Sequence, residues 1–170
     1  MYRTIVMLTS LAVLLGGAIG CDSTQSYNES NKQAASAITP RAGWTISSSS
    51  DVLNPELALD GNVSTAAQSG TNQQGAWVTI DLGKTCLFNT VIVDHGTSEQ
   101  SYAGRVAIYT STDGENFTYR FTGPGNRRVS LFSLVTPVLG RYVRLEVVKP
   151  QGGNYEPTSR TWALAEIYLR

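Results

Sequence analysis

The chain has 170 residues, with 13 lysine and arginine against 13 aspartate and glutamate, so its formal charge is zero. Without a basic stripe or a long charge run it offers no nucleic-acid surface. Its single histidine excludes a two-histidine metal site.

In chain order, residues 1–20 read as a secretory signal. Arg3 gives a basic start, Ile5 to Ile19 is an apolar run, and small residues lead out of it. The run is too short for a spanning helix. The exit Ala18-Ile19-Gly20-Cys21 resembles the lipobox of bacterial lipoproteins, with alanine where leucine is usual. That resemblance implies acylation of the Cys21 thiol, which becomes the first mature residue, and export to a lipid-anchored place in a bacterial envelope. Cys86 is then the only unmodified thiol, an inert one beside Leu87 and Phe88, and no internal disulfide is expected.

Residues 21–40 follow as the lipidated cysteine and a tether. From Asp22 to Pro40 the text is rich in Ser, Asn and Gln and nearly free of large apolar side chains. It cannot bury enough surface to offset the entropy of ordering, which predicts a flexible stalk. Residues 41–170 are of ordinary single-domain size, enough for a self-sufficient core.

Beyond Arg41 the apolar period is two. Ala76, Val78, Ile80 and Leu82 share one face; Val106 and Ile108 share another, as do Val143, Leu145 and Val147. Such alternation predicts half-buried antiparallel strands. Leu87–Val93 and Trp162–Leu169 are more continuously apolar, as central strands are. Turn signals separate these runs, and Ser111-Thr112-Asp113-Gly114-Glu115-Asn116-Phe117 reads as a hairpin. One helical turn is expected at Pro55–Leu59. The fold class is all-β, a β-sandwich or jelly roll. Trp44, Trp77 and Trp162 read as packing residues. Arg141, Arg144 and the Arg127-Arg128 pair read as solvated charges.

Five stretches occur in order: ALDGNVST, WVTIDLGKTCLFNTVIV, VAIYTSTDGENF, GRYVRLEVV and WALAEIYL. Together they resemble the coagulation factor V/VIII type C, or discoidin, domain, over nearly all of 41–170. The resemblance implies a galactose-binding-domain-like jelly roll of the kind that includes bacterial carbohydrate-binding modules. Two positions depart from the family's pattern: Ala67 and Phe117 stand where tryptophan is usual.

Leu57-Ala58-Leu59-Asp60-Gly61-Asn62-Val63-Ser64-Thr65 reads as a turn, a glycosylation acceptor or a metal loop. Glu166, the sole charge in an apolar strand, is costly unless it faces water, is paired or binds a cation. The resemblance implies a structural calcium ion. Carboxylates would come from Asp60 and Glu166, a hydroxyl and carbonyl from Thr65, and backbone carbonyls from Leu57, Asn62 and Ala165. Calcium takes about six to eight such oxygens. A loop closed by hydrogen bonds alone remains the other reading of these residues.

Catalytic constellations are missing: there is no HExxH, no Gly-x-Ser-x-Gly elbow and no phosphate-cradling loop. Enzyme activity is therefore not expected. Sugar rings offer apolar faces to aromatic side chains and hydroxyls to polar ones. Two loops have that character, 94–102 and 151–160, and His95, Tyr102, Asn154, Tyr155 and Arg160 are the candidate ligand residues. The sequence thus points to a monomeric glycan-binding lipoprotein whose membrane contact is its anchor. Use of the same loops on a protein partner, or an envelope-structural role, is the alternative.

Overall fold

The computed structural model describes residues 37–38, 40–70, 73–151 and 161–170. Cys21, Asn154, Tyr155 and Arg160 lie outside the described residues, as does the segment read as a signal.

Among the described residues the chain forms nine strands: β1 (Thr45–Ser48), β2 (Val52–Leu53), β3 (Ala67–Ser69), β4 (Trp77–Asp94), β5 (Arg105–Ser111), β6 (Thr118–Pro124), β7 (Val129–Lys149), β8 (Ala163–Leu164) and β9 (Glu166–Leu169). Two short 3-10 turns, Pro55–Leu59 and Gly96–Ser98, are the helical elements among the described residues. All strand pairs are antiparallel. The larger sheet runs β1-β4-β7-β5-β6 with β9 also on β4, and the smaller runs β2-β3-β8. The architecture is a β-sandwich.

The period-two run 76–82 and the more continuously apolar run 87–93, which read as separate strands, are halves of one bent strand. Register slips between Asp81 and Cys86, and again between Phe88 and Thr90. Gly83 supplies the bend with φ 73°, and its N–H donates to Asp81 Oδ1 at 2.8 Å. Below the bend Trp77–Asp81 pairs with Tyr142–Glu146 of β7, and beyond it Thr90–Asp94 pairs with Val129–Ser133. One bent ribbon thereby supplies both layers. Val78 and Ile80 from one half and Val91 and Val93 from the other meet in a single core with Phe88, Phe132, Leu145 and Trp162.

The register also fixes two ends. The 125–128 connection carries the chain from Pro124, which pairs with Arg105, to Val129, which pairs with Asp94. Loop 95–104 returns between the same two strand ends, so both layers finish together there. The bend, the 112–117 hairpin and Trp44 lie at the other end, because Ser111 and Asp81 both pair with Tyr142.

Four expectations change. The fold begins before Arg41: Ala37 and Ile38 are buried, and the Ile38 N–H donates to Leu169 O at 2.7 Å. Ile38 joins the main core and Ala37 packs with Ile92 and Tyr168 on the other face, which a purely polar stalk could not do. Cys86 is not a lone thiol. It is buried and disulfide-bonded, with its partner outside the described residues. The bend beside it packs on the chain's entry, where a Cβ on Gly83 would meet Gly43 O at 3.6 Å, so upstream chain passes nearby.

Nor are Arg141 and Arg144 simply solvated. Arg141 makes two hydrogen bonds to Asp81, at 2.8 and 2.9 Å. Arg144 lies 4.6 Å from the Trp77 ring and 4.1 Å from the Phe117 ring. Trp77 is accordingly half-buried under an arginine, whereas Trp162 is a core residue. Finally, Arg127 of the 127–128 pair is in an ion pair with Glu99.

Candidate functional site

Asp60–Thr65 leaves the Pro55–Leu59 turn and folds on itself. Asp60 Oδ1 accepts the Asn62 N–H at 2.8 Å. Thr65 Oγ1 lies 2.7 Å from Asp60 Oδ2 and 2.8 Å from Asn62 O. One hydroxyl hydrogen cannot serve both acceptors at once, so three oxygens crowd around a single proton. The Thr65 hydroxyl and then the Asn62 N–H hold the Asp60 carboxyl below the usual range.

Glu166 completes this group from the far end of the sequence. It is 0% exposed, although its strand is apolar on both sides. Its Oε1 accepts the Gly61 N–H and its Oε2 accepts an Arg41 N–H. Arg41 also donates to Ile167 O at 3.2 Å and lies 4.8 Å over the Tyr168 ring. Burial pushes the Glu166 carboxyl up, and the bond and charge of Arg41 oppose this. The Asp60 and Glu166 carboxylates are close enough to act on one another. Arg41 offsets one of their two negative charges. Arg41 was missed in the sequence because it is 125 residues from Glu166 and stands in an unremarkable turn.

These residues suit a hard cation. The donors are all oxygen, as a hard cation prefers, although among the described residues no group of three His, Cys, Asp or Glu is gathered. The structure brings Asp60, Asn62, Thr65 and Glu166 together. Leu57 lies in the turn just before the loop, and the Ala165 N–H, between β8 and β9, donates to Asp94 O at 2.9 Å.

The loop is locked to the end where the two layers finish. Gly96, at φ 56°, sits so close that an added Cβ would be 2.0 Å from Val63 O and 2.7 Å from the Ala165 Cβ. Only glycine fits there. Beyond it, loops 95–104 and 125–128 interlace with the start of β8. The His95 N–H donates to Arg128 O at 2.8 Å, the Arg128 N–H to Glu99 O at 3.1 Å, and the Ala163 N–H to Ser101 O at 2.8 Å. Arg128 has φ 67°, and the Val129 N–H donates across it to Arg127 O at 2.9 Å. This is a γ-turn of the strained, positive-φ kind, costing a non-glycine residue about 1–2 kcal/mol. Tyr102 is half-buried with its ring centroid 6.3 Å from that of His95.

His95 is not a loop-surface residue as its place at a strand end suggested. It is buried, with Nδ1 2.6 Å from Ala163 O and Nε2 2.9 Å from Ser130 Oγ. A carbonyl only accepts, so Nδ1 carries the hydrogen and Nε2 accepts from the serine hydroxyl. Ser130 Oγ in turn accepts the Asn126 N–H at 2.9 Å. Both ring nitrogens are committed to the interior, and the imidazole pins three loops instead of meeting a ligand. Its exposure is 1%.

Burial holds the His95 pKa below 6.5, against smaller upward effects from Ala163 O and the Asp94 charge. The unfolded chain therefore binds the proton more readily than the folded one. This contribution to stability is complete above about pH 6.5 and is lost as pH falls below it. Urea unfolding between pH 7.5 and 5 should show the loss, and His95→Gln should flatten that part of the profile relative to the parent.

Three comparisons place the chain among known proteins. A search of curated proteins finds no match. Among solved structures, the chain is similar to module CBM32-5 of CpGH89 from Clostridium perfringens, in complex with GalNAc-β-1,3-galactose. The TM-score is 0.64 at 15% identity, covering 76% of this chain and 96% of that one. The family 32 carbohydrate-binding module of Clostridium perfringens NanJ, in complex with galactose, gives 0.62 at 18% identity over 76% and 95%. The CBM32 of AlyQ, in complex with 4,5-unsaturated mannuronic acid, gives 0.57 at 20% identity over 74% and 93%. At these identities the likeness is one of fold. The F5/8 type C domain model, by contrast, matches residues 24–165, most of the chain. The protein belongs to the F5/8 type C domain family.

Proposed function

We propose that the end formed by loops 95–104 and 125–128 binds a glycan, and that the domain acts by binding alone. The observation carrying this reading is the interlacing of the described loops. His95, Ser130 and Gly96 fix their backbones from beneath and leave Glu99, Gln100, Asn126 and the arginines on the surface. A preformed backbone with polar groups at its rim suits sugar hydroxyls, because little ordering entropy is lost on binding. Solved modules of the same fold hold galactose-type sugars and an unsaturated uronate. Tyr102 would offer its ring to a sugar face, and Asn154, Tyr155 and Arg160, outside the described residues, are the other candidate ligand residues. A single shallow site binds weakly, so many anchored monomers would act through avidity.

A glycan array, followed by titration of its hits, tests this. Tyr102→Ala should weaken binding about 3- to 10-fold, the size of one ring contact. An array without hits, together with one reproducible protein partner, would replace the proposal with a protein-interaction role.

The proposed function includes a structural calcium ion. The carboxylates of Asp60 and Glu166, the Thr65 hydroxyl and carbonyl, and the carbonyls of Leu57, Asn62 and Ala165 would hold it. The ion would supply positive charge where Arg41 leaves an excess negative one. Adding calcium to chelated protein should raise the thermal midpoint by several degrees, the shift of a 1–2 kcal/mol linkage in a domain of this size. An unchanged midpoint contradicts the ion.

Membrane attachment in this proposal rests on Cys21, as no helix among the described residues is long and apolar enough to cross a bilayer. The sequence has two cysteines, Cys21 and Cys86, and a Cys21 thiol carrying lipid cannot pair with Cys86. Intact mass of the native protein separates the two states. Diacylglycerol on Cys21 with an alkylatable Cys86 supports the anchor, and a lipid-free oxidised chain overturns it.

A further inference from the structure

The loop between β6 and β7 carries two adjacent arginines that the fold treats differently. Arg127 is neutralised, its guanidinium in an ion pair with Glu99. Arg128 is exposed, and its side chain makes no hydrogen bond, ion pair or ring contact among the described residues. Elsewhere the fold engages its internal arginines: Arg41 with Glu166, Arg141 with Asp81, Arg144 with Trp77 and Phe117, and Arg120 with the Thr110 hydroxyl.

The backbone under Arg128 is nonetheless among the most constrained in the molecule. Its N–H and C=O are both bonded across to loop 95–104, and its neighbours close a γ-turn over it at φ 67°. The partner residue His95 is itself held by Ala163 and Ser130. Glycine would adopt this conformation without strain, whereas arginine does not. A free guanidinium is therefore projected from a rigid, strained base at the proposed ligand end. The neighbouring Glu99, which could have cancelled its charge, is spent on Arg127.

We infer that Arg128 is a specificity-determining residue selecting anionic sugars, its guanidinium meeting the carboxylate of a uronate. This rests on the glycan-binding reading of the same end. A planar guanidinium matches a carboxylate through two parallel N–H···O bonds, a match no sugar hydroxyl offers. Because Arg127 and Glu99 cancel, Arg128 is the charge left over within loops 95–104 and 125–128. Neutral sugars would bind through the remaining contacts and uronates through those plus Arg128.

The test uses the full chain and an array of galacturonate, mannuronate and glucuronate oligosaccharides beside their neutral methyl esters, which differ only in charge. At least one acid should bind about 10- to 100-fold more tightly than its ester. Arg128→Gln should erase that preference, bringing the affinity for the acid down to that for its ester. Arg128→Gly should erase it too, while raising the thermal midpoint because the γ-turn is relaxed. That rise shows the lost preference to be no consequence of misfolding. Equal binding of every acid and its ester, or a preference that survives Arg128→Gln, overturns the inference and leaves the glycan reading standing. Failure of all acids and esters to bind overturns both.

Discussion

A single buried carboxylate sets the terms for this fold. Glu166 stands in β9 with no exposed surface, among side chains that are otherwise apolar. An ionised carboxylate in such a place is tolerated only when charge and hydrogen bonds replace its water. Arg41 and the Gly61 N–H replace it. The consequence is topological as much as energetic, because the three groups come from the chain's entry, its first loop and its last strand. Satisfying one charge therefore draws together segments more than a hundred residues apart.

From that junction, order passes to the loops. The Asp60–Thr65 loop meets Gly96 and Ala165 so tightly that a methyl group would not fit. Gly96 follows His95, whose imidazole ties Ala163 to Ser130, and Ser130 holds Asn126. Each contact is local, yet together they connect the carboxylate to the rim on which Arg128 stands. The bend at Gly83 matters here as well. By turning β4 without ending it, it lets Asp94 at the end of β4 pair with Val129 at the start of β7, so short connections suffice to build that rim.

Much of this was legible in the sequence where a rule is local. Period two marked the strands, the Ser111–Phe117 stretch marked the β5–β6 hairpin, and Glu166 stood out as a charge in an apolar run. Its partner did not, since nothing near Arg41 distinguishes it from a solvated arginine. The continuity of β4 through residues 82–86 was hidden because glycine and lysine look like a chain break, whereas Gly83 turns the strand without ending it. His95 was misplaced for a related reason. A polar residue at a strand end usually faces water, but here an acceptor and a donor from distant strands await it inside. Arg144 likewise gave no hint that Trp77 and Phe117 would flank it.

The most direct measure of the account is a double-mutant cycle on the clamp, by urea unfolding in chelator with Arg41→Met, Glu166→Leu and both together. Removing Arg41 alone strands a buried charge and should cost about 3–5 kcal/mol, while the double variant, with no charge left to strand, should recover most of that loss. Simple additivity of the two single losses, or a loss below about 1 kcal/mol for Arg41→Met as in an exposed ion pair, would contradict the claim that this carboxylate organises the fold.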